Sequence, residues 1–281
     1  MKAAIAQRLI DLNKQFYQNL AVPFSASRGR LQPGVLRTLD NIPPKADILD
    51  QGCGNGGLAG ELARRGHRGQ YIGMDFSEEL LKIASSRAKG SNFRFLQADL
   101  TLASFNQQPE ISDQKFSFVF AFAVLHHIPS HELRLKILSQ VHGLLLPRAG
   151  GFETRPYNGG RFIHSHWQFL NSPRLRARIQ PWESIELSAA DVDEGDYLLD
   201  WRSGGKGLRY VHQFDETELA NLAAESGFSV TDSFLSDGKG GKLALYQTWE
   251  TARATHTSLK LGQTLEKMEA GAACCAPTTA I

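Results

Sequence analysis

A glycine-rich run, Ile48-Leu49-Asp50-Gln51-Gly52-Cys53-Gly54-Asn55-Gly56-Gly57, holds the clearest chemical potential in the sequence. Glycine lets the main chain turn sharply and lets a ligand approach the backbone where a Cβ would otherwise stand. Asp50 precedes the first glycine by two positions, and two further carboxylates, Asp75 and Asp99, follow apolar runs downstream. A loop of this kind, with acids beyond it, suits a nucleotide-containing ligand that offers hydroxyl and amino protons. Two later segments carry imidazoles and hydrogen-bond donors: Ala123-Val124-Leu125-His126-His127 and Arg209-Tyr210-Val211-His212. Histidine can move protons near neutral pH, while Arg and Tyr can hold an anion in place. His126 is the candidate base for a hydroxyl or amine nucleophile. Arg209, Tyr210 and His212 are candidates for orienting a carboxylate, or they are alternating positions on a strand.

These residues need elements to hold them. Ile5, Leu9, Leu12, Phe16 and Leu20 recur at steps of three and four, which predicts an amphipathic helix over 4–20 that Pro23 ends. A loop with Arg28 and Arg30 and a second short helix complete an N-terminal helical cap over 1–45. A strand–helix alternation then begins. Strands are expected over 46–50, 71–75, 93–98, 116–121 and 162–169, the fourth apolar almost throughout, as a central strand is. Helices between them start at the glycine loop, at Ser77 and at Ser130, with Glu78 and Glu79 in the first turn after Ser77. Asp215 with Glu218 opens a last helix that Gly227 closes. Two strand-like runs, 228–234 and 243–249, flank a turn at 237–241 and form an edge hairpin. The expectation is an α/β fold: a Rossmann-like, doubly wound, seven-stranded sheet with an antiparallel C-terminal edge hairpin. Residues 171–212 interrupt the pattern and read as a lid or substrate insertion of short helices. The main domain thus spans 46–249, and residues 250–281, without patterning, are expected to be disordered.

With Asp50 and Gly56 included, the run takes the form D-x-G-x-G-x-G, and here the chain resembles the class I S-adenosylmethionine (SAM)-dependent methyltransferases over residues 46–249. The resemblance implies SAM as cofactor and a cofactor site made of Arg28, Asp50, Gly52, Gly54, Asn55, Gly56, Asp75, Phe76, Asp99, Leu100 and Ala123. Asp75 would accept the ribose hydroxyl protons and Asp99 the adenine amino group. Arg28 would bind the cofactor carboxylate or the substrate, or it is a surface residue. More closely, Phe16-Tyr17, Pro23-Phe24-Ser25-Ala26-Ser27-Arg28, the segment ending His126-His127, and Arg209-Tyr210-Val211-His212 are similar to motifs of the tRNA wobble-uridine carboxymethyl methyltransferases, in the same order. That likeness implies methyl transfer to a carboxymethyl group on a tRNA uridine. The insertion at 171–208 and the Gly-Pro-Asn-rich stretch at 150–160 depart from that family's pattern.

Composition bounds the alternatives. The chain has 281 residues, 42% hydrophobic and 21% charged, with a net charge of +2. This is globular and neither demands nor excludes an acidic partner such as RNA. Cys53, expected to pack beneath the loop, and the adjacent Cys274-Cys275 make no disulfide framework, which points to a reducing compartment and a cytoplasmic location. No apolar run is long enough for a membrane helix. His126, His127 and His131 lack a nearby carboxylate or cysteine, so no metal site is expected. Arg174, Arg176 and Arg178 alternate between Trp167 and Trp182, which suits RNA or a solvated helix face. The competing functions are a methyltransferase of a small metabolite (a quinone precursor or carboxylic acid), a non-catalytic SAM-binding module, and a nicotinamide-dependent dehydrogenase. Gly52, Gly54 and Gly57 satisfy the dinucleotide fingerprint, but Asp50 and the edge hairpin count against the last of these. Nothing in the sequence identifies a protein partner.

Overall fold

Residues that are apolar on both faces form the centre of the sheet. β1 (Ile48–Gln51), β2 (Tyr71–Asp75) and β4 (Phe118–Phe122) are buried along almost their whole length. β3 (Phe93–Gln97) alternates, as an outer strand does. With β5 (Arg161–Trp167) these strands are parallel neighbours in the order β3-β2-β1-β4-β5. The structure is a computed structural model that describes residues 1–21, 25, 29–102, 105–148, 159–202 and 205–252. Arg28, most of the 150–160 stretch and the expected tail from residue 253 onward lie outside the described residues.

Helices cover the sheet at the expected places. α1 (Ala3–Asn19) and α2 (Pro33–Leu39) form the N-terminal cap. α3 (Gly57–Arg64) leaves the glycine loop, and α4 (Glu78–Arg87) is capped by Ser77, whose Oγ accepts from Leu80 N. α5 (His131–Leu144) is capped in the same way by Ser130. One apolar core joins Leu49, Ile72 and Val119 of the sheet to Ile137, Leu138 and Val141 of α5 and to Leu219 and Leu222 further along the chain. A second core on the opposite face gathers Ile48, Phe118 and Phe120 with Leu58 and Leu62 of α3.

The insertion differs from the expected short helices. It contains a brief α-helix, α6 (Pro173–Arg176), a 3-10 turn at Trp182–Ile185, and a three-stranded antiparallel sheet. Its strands are β6 (Ile179–Gln180), β7 (Asp196–Trp201) and β8 (Gly207–His212). The reason is tertiary. Leu198, Leu199, Tyr210 and Val211 are fully buried, some against α1 and some against Phe169 and Leu175, so the segment has two apolar faces, as a covered strand does. α7 (Glu216–Glu225), capped by Asp215, leads into β9 (Phe228–Ser236) and β10 (Ala244–Thr251). β10 pairs antiparallel with β5, and β9 lies outside it, which completes the seven-stranded order β3-β2-β1-β4-β5-β10-β9.

A buried polar network ties the insertion to this frame. Arg134 of α5 donates to the Tyr210 hydroxyl (2.9 Å), which donates to Asp196 (2.6 Å). His212 bridges Asp196 (2.7 Å) and Glu218 (2.9 Å), and Glu218 also faces Arg134 at 3.3 Å. Two acidic and two basic groups thus satisfy one another in a site where any one alone would be costly.

Candidate active site

The sheet order reverses between β1 and β4, where β2 and β4 flank β1 at Asp50 in parallel register, and the crevice at such a point is where α/β sheets bind ligands. A cavity of about 1060 Å³ opens there. Its floor comes from the carboxyl ends of β1 to β4, its walls from α1 and the 29–32 loop, and its far end from Trp201 and Arg209 of the insertion and the β9–β10 turn. Asp50, Gly52, Gly54, Asn55, Asp75, Phe76, Asp99, Leu100 and Ala123, predicted separately from sequence, all line it.

Gly56 does not line the cavity; it caps α3 at φ +72°, and a Cβ there would meet the Ala84 backbone at 2.6 Å. Its place is taken by packing between α3 and α4. At Gly54 (φ +55°), by contrast, a Cβ would meet nothing within 4 Å, so this part of the loop is open to a ligand.

The three carboxylates are held differently. Asp75 accepts from the amides of Gly54 and Ser77, each at 2.9 Å, which fixes its oxygens at the end of β2 and leaves lone pairs for a ligand's hydroxyls. Burial pushes its carboxyl up, and those amides pull the other way. Asp50 is fully enclosed, and Tyr71 donates to it at 2.6 Å. Burial pushes Asp50 up to about 7, against the Tyr71 hydrogen bond and helped by the Asp75 charge. Asp99 accepts from the Thr101 hydroxyl (2.6 Å) and amide and pairs with Lys14 of α1 at 2.5 Å. Burial works to raise it, but Lys14 and Thr101 outweigh that and hold it below the ordinary carboxylate value. Cys53 is buried under the loop, and burial raises its thiol well above the usual value.

Beyond the acids, the cavity is aromatic and carries imidazoles. Ala123 ends β4 at φ +58°, a strained setting for a residue with a Cβ, and its amide donates to Ser165. That turn delivers His126 and His127 to the cavity wall. His126 Nδ1 accepts from the Trp167 amide at 3.2 Å, which leaves the proton on Nε2 of a neutral ring. His127 Nδ1 lies 3.2 Å from the Tyr210 carbonyl, and its Nε2 lies 2.7 Å from the Tyr17 hydroxyl. A carbonyl only accepts, so the neutral ring carries its proton on Nδ1 and accepts from Tyr17. His131 lies apart, facing Glu225 at 3.0 Å. Among the described residues no group of three His, Cys, Asp or Glu could hold a metal ion.

The Arg209-Tyr210-Val211-His212 segment is divided by the pleat of β8. Tyr210 and His212 point into the buried network with Arg134. Arg209 points the other way, onto the cavity wall, and is only 3% exposed. Its guanidinium sits over the rings of Trp167 (4.6 Å), Phe16 (5.4 Å) and Trp201 (5.5 Å). Asn13 fixes this register, since it accepts from Tyr210 N at 2.8 Å and donates to Tyr210 O and His127 O.

Sequence reasoning did not single out Asn13, Lys14, Tyr17, Trp167 or Trp201 as site residues. Asn13 had a usable signal: it is a lone amide on the buried side of α1 between Ile10 and Phe16.

The profile of a methyltransferase domain matches residues 48–148. A candidate methyltransferase of Encephalitozoon cuniculi is 29% identical over 78% of this chain and 87% of its own length. The tRNA (carboxymethyluridine(34)-5-O)-methyltransferase of Schizosaccharomyces pombe is 28% identical over 78% of this chain and 89% of its own. The Arabidopsis thaliana protein of the same name is 32% identical over 48% of this chain, but that match spans 30% of the plant protein. A demethylmenaquinone methyltransferase of Lactobacillus johnsonii is 30% identical over 53% of this chain and 57% of its own length. Among solved structures, a SAM-dependent methyltransferase from Methanosarcina mazei superposes with a TM-score of 0.56 at 22% identity, over 79% of this chain and 99% of that one, a likeness of fold. The lining of the cavity suits SAM, whose sulfonium is cationic and whose ribose and adenine offer protons: Asp50, Asp75 and Asp99 line it beside an open glycine turn. The chain is thus a class I SAM-dependent methyltransferase, as the form of its glycine loop implied.

Proposed function

We propose that this enzyme methylates a carboxylate carried by a uridine of tRNA, and that Arg209 receives that carboxylate. The observation that carries the proposal is the Arg209 guanidinium itself, a permanent cation enclosed by aromatic rings on the wall of the cavity. A charge in so apolar a wall favours an anionic occupant, and the planar guanidinium matches a carboxylate with two parallel hydrogen bonds. Trp167 and Trp201 add flat faces on which a base can stack. The S. pombe relative, named for such a reaction, supports the reading.

SAM supplies an electrophilic methyl group. Asp75 would accept the ribose hydroxyls, Asp99 the adenine amino group, and Asp50 would balance the cationic end, with Gly52, Gly54 and Asn55 lining the cavity at the loop and Phe76, Leu100 and Ala123 supplying apolar wall. The remaining task is orientation, because a carboxylate is ionised at neutral pH and needs no base. The imidazoles agree with this. His126 carries its proton on Nε2, and both nitrogens of His127 are engaged by Tyr17 and the Tyr210 carbonyl, so neither ring is set up to remove a proton.

The test uses purified protein, SAM labelled in its methyl group, and an extract of cells lacking this protein. Label is expected in tRNA and is expected to leave under mild alkali, as an ester does. Label confined to small carboxylic acids would overturn the RNA acceptor and favour the second reading the same cation allows, a free metabolite carboxylate.

Asp50 also predicts a pH dependence. A cationic ligand favours the ionised carboxylate, so binding must displace the proton that Asp50 holds below about 7. SAM affinity should rise with pH up to about 7 and level off above it, by as much as about tenfold per unit on the acid side. Asp75, raised in the same direction, adds in the same sense. Calorimetry at about pH 6 in buffers of different ionisation enthalpy should show proton release, and Asp50→Asn should flatten the profile. Equal affinity at about pH 5.5 and about pH 8 would remove the proposed role of Asp50.

A further inference from the structure

We infer that a strip of exposed cations beside the cavity, made by Arg30, Lys239, Lys242, Arg174 and Arg176, is the surface on which the RNA phosphate backbone lies. This inference rests on the reading of an RNA acceptor and adds to it where the polymer runs.

Hydrogen bonds connect the strip to the cavity wall. Gly34 N donates to Asp237 at 2.9 Å, which joins the segment after Arg30 to the β9–β10 turn that carries Lys239 and Lys242. Asn171 donates to the Lys242 carbonyl at 2.8 Å, and Gln168 N donates to the Leu243 carbonyl, which joins that turn to α6. Leu175 turns inward from α6 and packs in the cluster that includes Trp167 and Leu243, two residues of the cavity wall. Its neighbours Arg174 and Arg176 therefore face solvent just outside the wall that holds Arg209.

Some exposed cations elsewhere on the surface are neutralised by acids beside them. Arg64 and Arg65 pair with Glu61, Lys82 with Glu78 and Glu79, and Arg202 with Asp200. None of the five cations of the strip makes an ion pair among the described residues. Asp237, the acid nearest in sequence to Lys239 and Lys242, is buried and committed to Gly34 and Tyr246. A row of uncompensated cations that ends at an aromatic cavity matches a polyanion that delivers one base at a time: phosphates along the rim and a single residue inside. A small carboxylate would gain only a steered approach from charges outside the cavity, whereas a polyanion contacts several of them at once.

The experiment compares the wild type with R174E/R176E/K242E, and with R174Q/R176Q/K242Q as a milder control of folding. The probe is tRNA from cells lacking this protein, followed by fluorescence anisotropy across a salt series. Charge reversal should weaken tRNA binding at least about tenfold and reduce the slope of log K against log salt by about two to three. The glutamine variant should shift both in the same direction by less. KM for tRNA should rise with kcat held, and SAM affinity should not change. Equal tRNA affinity and salt slope in all three proteins, with wild-type methylation of tRNA intact, would overturn the strip and leave the RNA acceptor standing. A wild type that neither binds nor methylates tRNA, yet methylates small carboxylic acids, would overturn both.

Discussion

Arg209→Met should lower kcat/KM for the methyl acceptor by about 100-fold or more while SAM binds as before. Methionine keeps much of the side-chain bulk against Trp167, Trp201 and Phe16 but removes the charge and the donors. Truncating one partner of a buried, hydrogen-bonded charge pair costs about 2–5 kcal/mol, and each 1.4 kcal/mol is about tenfold. Arg209→Lys should recover only part of the loss, because an ammonium keeps the charge without the two-pronged geometry. Single-turnover methyl transfer and calorimetry with SAM separate the two effects. Full turnover in the methionine variant would end the proposed role of Arg209. A parallel collapse of SAM affinity would show that it supports the fold of the cavity instead.

Asp75→Ala should weaken SAM binding by about 100-fold or more. The carboxylate has two duties. It faces the site where ribose hydroxyls would donate, and each hydrogen bond to a charged group contributes about 1.5–3 kcal/mol. It also holds the amides of Gly54 and Ser77, so its loss frees the glycine loop and the start of α4 together. Asp75→Asn keeps an acceptor oxygen and should fall between the two. Calorimetry reads the change directly, and an unchanged affinity in the alanine variant would remove Asp75 from the cofactor site.

The insertion shows why some of this site was hidden from sequence. Residues 171–212 read as short helices, and the segment holds two short helical pieces, but its framework is a three-stranded sheet. The alternation of Arg209, Tyr210 and His212 admitted a strand there, but the first two strands are recognisable only from what covers the sheet: α1 on one side and the Phe169–Leu175 cluster on the other. The same is true of the imidazoles. His126 and His127 are adjacent in sequence and equivalent by type, and only the partners at Trp167, Tyr17 and Tyr210 assign their protons.

What the sequence determined alone is what local physics determines. Apolar runs of strand length, caps at Ser77, Ser130 and Asp215, and glycines at a strand–helix junction specify an α/β sheet with a ligand loop. The acids at the ends of β1, β2 and the segment after β3 then fall at the cavity because parallel strands all end on one side. The tertiary structure decided which face of β8 meets the ligand. A shift of one residue would exchange Arg209 for Tyr210 at the cavity wall. The register is set by Asn13, Asp196 and Arg134, which reach Tyr210 from elsewhere in the chain, and by a neutralised buried network that no local pattern announces.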